Sequence, residues 1–289
     1  MSRLQIEHST IYSYREPVTL GRHRLVLRPR EGHDVHVERM NLHISPLHET
    51  IWSRDVFSNS VAIVDFLEPT DRLQIISTVT INRSTPSERA GGKAFRVYLP
   101  VEYEPTEAIV TASYKLMSFP DDRDEIQSWL LQFNLTGDAE ALMVKICTRI
   151  KEQITYQRRD VRGVQSPKQT LQMQSGSCRD LATLMMDAVR QLGLAARFAS
   201  GYLDCPASQA GRSSTHAWVE VYLPILGWCG FDPTLGEATS LKHIVVGVSQ
   251  HPRGVMPITG VFSGPAGACT EMLAQVKIVK LDQLVAAGS

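Results

Sequence analysis

The sequence predicts an α+β fold of two domains, and three observations predict it. Residues 1 to about 88 hold many short alternating or apolar runs separated by turn residues, with no helical stripe among them. From Asp121 onward, apolar residues recur at helical spacing instead. Between Thr215 and Asp232, a strand, a turn and a second strand read as an antiparallel hairpin. The first half is therefore expected to be a β-sandwich-like domain over residues 1–110. Residues 111–289 are expected to form a second domain, with helices packed on an antiparallel sheet.

Composition bounds the function classes. The chain has 289 residues, 43% of them hydrophobic and 21% charged, which suits two ordinary globular cores. Thirty basic residues balance thirty acidic ones, so no global field points to nucleic acid or an anionic membrane. The start, Met1 to His8, lacks the basic end and apolar run of a signal peptide. No apolar run reaches the ~18 residues that a membrane helix needs. The five cysteines (Cys147, Cys178, Cys205, Cys229 and Cys269) are odd in number and lack CxxC spacing. That argues against a disulfide framework and a zinc ribbon, and it suits a reducing cytoplasm. No cofactor, metal, nucleic acid or membrane partner is expected, and the oligomeric state is open.

In the first half, Leu4–Glu7, Val35–Glu38 and Asn41–Ile44 alternate with a period of two, and Arg24–Arg28, Val61–Phe66 and Leu73–Ile81 are further strand-like runs. Glu16-Pro17, Pro29–Gly32, Ser45-Pro46, Ser58–Ser60 and Pro69–Asp71 punctuate them. The stretch from Ser84 to Pro120 is transitional. Asp121 to Asn134 reads as a helix with an acidic first turn, complementing the positive end of its dipole. Asp138 is placed to cap the next helix, whose stripe is Ala139, Met143, Ile146, Ile150 and Ile154, with Cys147 beside it as a core thiol. Arg158, Arg159 and Arg162 lie in a polar loop, either simply solvated or a cationic rim for an acidic substrate. Ser166-Pro167 opens a short helix in cap-then-proline order.

The chemistry lies between Ser175 and Thr234. Gly176 can break a helix, and Leu181, Leu184, Met185, Ala188 and Leu192 then mark a buried helical face that Gly193 terminates. Cys178 thus falls at the first turn of a buried helix. A helix N-terminus favours a thiolate and offers unsatisfied N–H groups to a developing oxyanion. In the strand Thr215–Leu223, His216, Trp218, Glu220 and Tyr222 share one face. The turn near Pro224 leads to Trp228–Asp232, so that His216 and Asp232 are offset across the hairpin rather than directly opposed. A thiol, an imidazole and a carboxylate in that order suit a nucleophile, a general base and an orienting acid. Singly, each has a plain packing explanation; their order and placement carry the argument. The tail adds a strand at His243–Val248, a loop over Gly254–Gly267 with His251 ahead of it, and a last strand at Gln275–Leu281.

Gly176-Ser177-Cys178-Arg179-Asp180, His216-Ala217-Trp218-Val219-Glu220-Val221, and Gly227-Trp228 through Phe231-Asp232-Pro233-Thr234 resemble the three motifs of the transglutaminase-like superfamily. The resemblance spans roughly residues 135–235 and implies a papain-like core with Cys178 as nucleophile, His216 as base and Asp232 as orienting acid. His8–Tyr14, Leu25–Arg30 and Asp55–Asn59 are similar to the β-rich domain that precedes this core in a bacterial subfamily. Two departures stand out: Ser58 where that subfamily usually has glycine, and Val248–His251 where an Arg-Asp-Tyr type segment is usual after the His-Ile pair, here His243-Ile244.

The resemblance implies a cysteine-dependent attack on an amide through a thioester, and it does not decide between water and an amine as acceptor. Hydrolysis of a peptide or protein substrate (protease, isopeptidase or amidase) is the expected reaction, because water is always present whereas aminolysis needs a second binding site. Gly176, Ser177 and Trp218 are the candidate substrate contacts, Trp218 alternatively being a packed aromatic. The same thioester could pass to an amine, as in a transglutaminase or transpeptidase. A zinc hydrolase, an arylamine-type acyltransferase and a non-catalytic peptide-binding module remain as alternatives. The N-terminal domain is expected to restrict access or dock a partner.

Overall fold

The computed structural model describes residues 2–84, 96–159, 161, 163–204 and 215–281. Cys205, Arg162, the punctuation at Pro86 and Gly91-Gly92, and most of the expected loop after Asp204 lie outside the described residues.

Six strands come first: β1 (Ser2–Leu20), β2 (His23–Leu25), β3 (Val35–Ser45), β4 (His48–Arg54), β5 (Ser60–Phe66) and β6 (Thr70–Arg83). In β1, Leu4, Ile6, His8 and Thr10 point inward while their neighbours face outward, the alternation that one buried sheet face requires. The runs read separately as Val35–Glu38 and Asn41–Ile44 are a single strand, β3, with a register shift between Val37 and Arg39.

The chain then forms β7 (Tyr98–Leu99), α1 (Pro105–Thr111), α2 (Arg123–Leu130), β8 (Gly137–Asp138), α3 (Ala139–Gln153), β9 (Thr155–Tyr156), α4 (Pro167–Met173), β10 (Ser175–Gly176) and α5 (Cys178–Gln191). Helix α1 lies in the stretch read as transitional, where Pro105 opens it at N1. Asp138 caps α3 by accepting the Ala141 N–H at 2.9 Å. Ser166 and Gln169 close a capping box at the start of α4.

Five strands make the second sheet system: β11 (Ala196–Leu203), β12 (His216–Leu223), β13 (Gly227–Asp232), β14 (Glu237–Ala238) and β15 (His243–Ser249), in the antiparallel order β14-β13-β12-β11-β15. Helix α5 packs on β12 and β11 and is buried at every position except Arg179 and Gln191. Gly193 ends it with φ of 81°.

The last strands do not stay with this unit. β16 (Ile258–Thr259) pairs with β2, β17 (Phe262–Ser263) pairs with β1, and β18 (Cys269–Lys280) runs antiparallel along β1. The N-terminal sandwich is therefore a sheet of β17, β18, β1, β6 and β3 facing a sheet ordered β16-β2-β5-β4. Assigning residues 111–289 to one unit left this return out. The pattern at Gln275–Leu281 signals a strand, but register with β1 is a long-range choice that no local pattern encodes.

Asn59 clips the two units together. Its side-chain amide donates to the Val248 carbonyl at 2.8 Å and accepts the Val248 N–H at 2.9 Å, copying a backbone partner on β15. Asp55 and Arg30 hold the amide in place. Ser58, in the preceding position, has φ of 61°, in the left-handed region that favours glycine, which explains the glycine usual there in the subfamily. Asn59→Leu is expected to strand a buried N–H and C=O on Val248. Stability should fall by about 3 kcal/mol, seen as a lower urea midpoint at unchanged slope; an unchanged midpoint would refute the clip.

Candidate active site

Cys178 begins α5, with Ser177 as the N-cap. The turn before it is held by a buried carboxylate. Asp180 accepts the Ser177 N–H at 2.8 Å, the Ser177 hydroxyl at 2.7 Å and the Gln165 N–H at 2.7 Å. Arg159 Nη1 reaches both of its oxygens, at 2.7 and 2.8 Å. Parallel pairing of β9 with β10 sets Tyr156 beside Gly176, and the Gln157 N–H donates to the Gly176 carbonyl. Gly176 serves packing: a Cβ there would lie 2.9 Å from Asp180 Cβ and 3.0 Å from Gln165 Oε1. The first-turn N–H groups of Cys178 and Arg179 have no acceptor within the helix, as at any helix start.

The hairpin supplies the other two groups. Pairing of Val219 with Phe231 and of Leu223 with Gly227 centres the turn on Ile225, so Asp232 lies level with Trp218 and diagonal to His216. That offset brings His216 Nε2 to 2.7 Å from Asp232 Oδ2. The remaining ring nitrogen, Nδ1, is left for the hydrogen bond between His216 and Cys178. Asp232 Oδ1 accepts the N–H groups of Thr234 at 2.9 Å and Leu235 at 3.3 Å, so the Asp-Pro-Thr turn itself grips the carboxylate.

Burial favours a neutral His216, but the hydrogen bonds and charges of Asp232 and Cys178 outweigh it and push its pKa up to about 10. Burial likewise opposes ionised Asp232, yet its two histidine donors, His216 first, hold it well below the usual carboxylate range. By linkage, the raised His216 value contributes stability that is full below about 6.5 and lost as pH rises through about 10. The lowered Asp232 value contributes above its ordinary value near 3.8 and is lost on acidification. Burial pushes the Cys147 thiol up, as suits a core cysteine.

A second histidine joins the site. His243, the first residue of β15, places Nε2 3.0 Å from Asp232 Oδ2, the same oxygen that His216 contacts. The sequence marks it only by its place at the start of a strand and by the His-Ile pair of the resembled subfamily; the contact with Asp232 spans the sheet, so no local pattern shows it. His216, Asp232 and His243 form a donor set of the kind zinc takes. Their contacts of 2.7 and 3.0 Å are shorter than the roughly 3.3 Å between ligands around tetrahedral zinc. The geometry is that of two N–H groups sharing one carboxylate oxygen.

The structure thus brings Cys178, His216 and Asp232 together. Trp218 is buried, stacked on His216 at 6.2 Å and edge-on to His243 at 5.1 Å. Gly176 and Ser177 are buried, and their carbonyl and hydroxyl are committed to Gln157 and Asp180. Of the expected cationic rim, Arg159 turns inward to Asp180, while Arg158 stays exposed. His251 lies elsewhere, capping a short 3-10 turn beside Phe119. The Val248–His251 segment bonds to Asn59 and to Arg190, whose guanidinium reaches the Gln250 carbonyl at 2.6 Å.

Comparison with known proteins agrees with this architecture. Residues 4–82 match the bacterial transglutaminase-like N-terminal region, and residues 132–233 match the transglutaminase-like superfamily. An uncharacterized protein of Mycobacterium tuberculosis is 26% identical over 274 residues, covering 90% of this chain and 87% of that one. An uncharacterized protein of Mycobacterium leprae is 22% identical, covering 96% of this chain and 99% of that one. Among solved structures, a candidate cysteine protease from Cytophaga hutchinsonii superposes with a TM-score of 0.73 at 18% identity, covering 97% and 91% of the two chains. At that identity the likeness establishes the fold.

Asp180→Asn would turn an amide NH2 toward donors and leave Arg159 without its counter-charge. Because Arg159 keeps some exposure, a loss of about 3 kcal/mol is expected, the low end for breaking a buried pair. Thermal unfolding reads this out. A melting temperature equal to wild type would remove Asp180 as the anchor of the Cys178 turn.

Proposed function

Because the chain belongs to the transglutaminase-like superfamily, we propose that it is a cysteine-dependent amide-bond hydrolase acting on peptide or protein substrates. Cys178 serves as nucleophile, His216 as acid and base, and Asp232 as the orienting carboxylate. The observation that carries this reading is His216 itself. It is held between a thiol and a buried carboxylate, and it favours its protonated form through the neutral range. A structural histidine on an apolar strand has no use for either partner.

The steps follow from the geometry. Cys178 Sγ, having passed its proton to His216 Nδ1, attacks the amide carbon and the carbonyl oxygen takes up the negative charge. N–H groups at the start of α5 receive that oxyanion, each donor worth about 3–4 kcal/mol. His216 returns its proton to the leaving nitrogen, the C–N bond breaks, and a thioester on Cys178 remains. His216 then takes a proton from water, the resulting hydroxide attacks the thioester, and the acid product leaves Cys178 as thiolate. Asp232 holds the ring and stabilises the imidazolium throughout. An amine in place of water would make the same intermediate a transferase's.

Two outcomes are expected. Iodoacetamide should modify Cys178 faster than Cys147 or Cys229 at about pH 6–7, with His216→Ala removing the advantage. Equal rates at all three thiols would leave the site without an ion pair and refute the reading. Against a peptide library, wild type should release acid products and Cys178→Ala should lose at least ~10⁴-fold in rate. Added primary amines should leave the products as acids; amide products would mark a transferase.

A further inference from the structure

We propose that His243 is a positioning residue for this site: a neutral imidazole whose Nε2–H locks Asp232 in the orientation that His216 needs. The inference rests on the catalytic reading of Cys178 and His216 given above.

The hydrogen bonds define its tautomer. The backbone N–H of Ser240 donates to His243 Nδ1 at 3.1 Å, so that nitrogen presents a lone pair. The ring proton therefore sits on Nε2 and is donated to Asp232 Oδ2 at 3.0 Å. With Thr234 and Leu235 on Oδ1 and His216 and His243 on Oδ2, the carboxylate has four N–H donors and no freedom to rotate. Losing His243 would free Oδ2 to swing out of the plane of the His216 ring. It would also concentrate the carboxylate charge on one partner.

The surrounding structure is shaped for this reach. His243 is separated from β12 by β11, in which Gly201 pairs with His216 on one side and Val245 on the other. A Cβ on Gly201 would lie 2.8 Å from Trp218 Cη2 and 2.0 Å from the Ile244 carbonyl oxygen. Its absence leaves room over β11 for the Trp218 ring, which lies beside both imidazoles. Trp218 thereby packs His243 edge-on and His216 face-on, fixing both rings about the shared oxygen.

The test compares His243→Phe, which keeps ring volume but loses the donor, with His243→Gln, which keeps an N–H near the Nε2 position. Groups that orient metal-bound histidines through a hydrogen bond are worth ~10–100-fold when lost, and the same range is expected for a group that orients Asp232. His243→Phe should therefore slow both Cys178 alkylation at about pH 6.5 and peptide hydrolysis by at least about tenfold, through kcat with KM unchanged. His243→Gln should recover most of that loss. Melting temperatures of both variants separate the effect from misfolding. Should neither variant fold, ¹⁵N-histidine NMR of the wild type decides: a neutral Nε2–H tautomer at His243 supports the proposal, and an Nδ1–H or doubly protonated ring overturns it. A folded His243→Phe with wild-type alkylation and turnover overturns this proposal alone. A wild-type Cys178 no faster than Cys147 overturns it together with the catalytic reading.

Discussion

The buried carboxylate of Asp232 is the constraint on which the site depends. An ion without water costs several kcal/mol unless its lone pairs are filled. Here they are filled from three directions: the turn that follows Asp232, the hairpin partner His216, and His243 on β15. Each donor comes from an element whose position is otherwise set by sheet register. Slipping β12 against β13 by one residue would send His216 to the opposite face and leave the charge unpaired. The electrostatics and the register therefore enforce each other.

A second buried carboxylate does the same for Cys178. Asp180 is satisfied by the N-cap of α5, by the Gln165 amide and by Arg159, so the loop before α4 and the first turn of α5 form one hydrogen-bonded body. Further along α5, Asp187 accepts the Ser118 and Phe119 N–H groups, and Arg190 bonds the Ala196 and Gln250 carbonyls. Polar groups are thus spaced along a helix buried on nearly every side. They give it a unique angular setting, which apolar packing alone specifies poorly. Cys178 inherits its aim from them.

Local chemistry was legible from the residues. The cap at Asp138, the Ser166-Pro167 start, the Gly193 stop and the offset hairpin all follow from rules acting over a few residues, and the structure contains each one. The three motifs brought Cys178, His216 and Asp232 to notice for the same reason. What stayed hidden depends on distance along the chain. His243 meets Asp232 across two strands, β12 and β11, Asn59 meets Val248 across two units, and β18 joins β1 from the far end of the sequence. Helix α1 was missed differently, because a proline at N1 and a proline in a loop look alike in one sequence.

These long-range contacts bear on what the N-terminal unit does. One continuous apolar core runs from Leu4, Ile6 and Val37 through Val276 to Met143, Leu184 and Val219, so the sandwich supplies part of the wall on which the second sheet rests. His8 reaches Tyr202 on β11 at 3.1 Å, and burial lowers its pKa to about 4, which keeps that contact neutral. Asn59 pins β15 five residues beyond His243 on the same strand. A unit that only docked a partner would need none of this. Through β11 and β15 the sandwich bears on the strands that carry Gly201 and His243, and hence on the setting of Asp232.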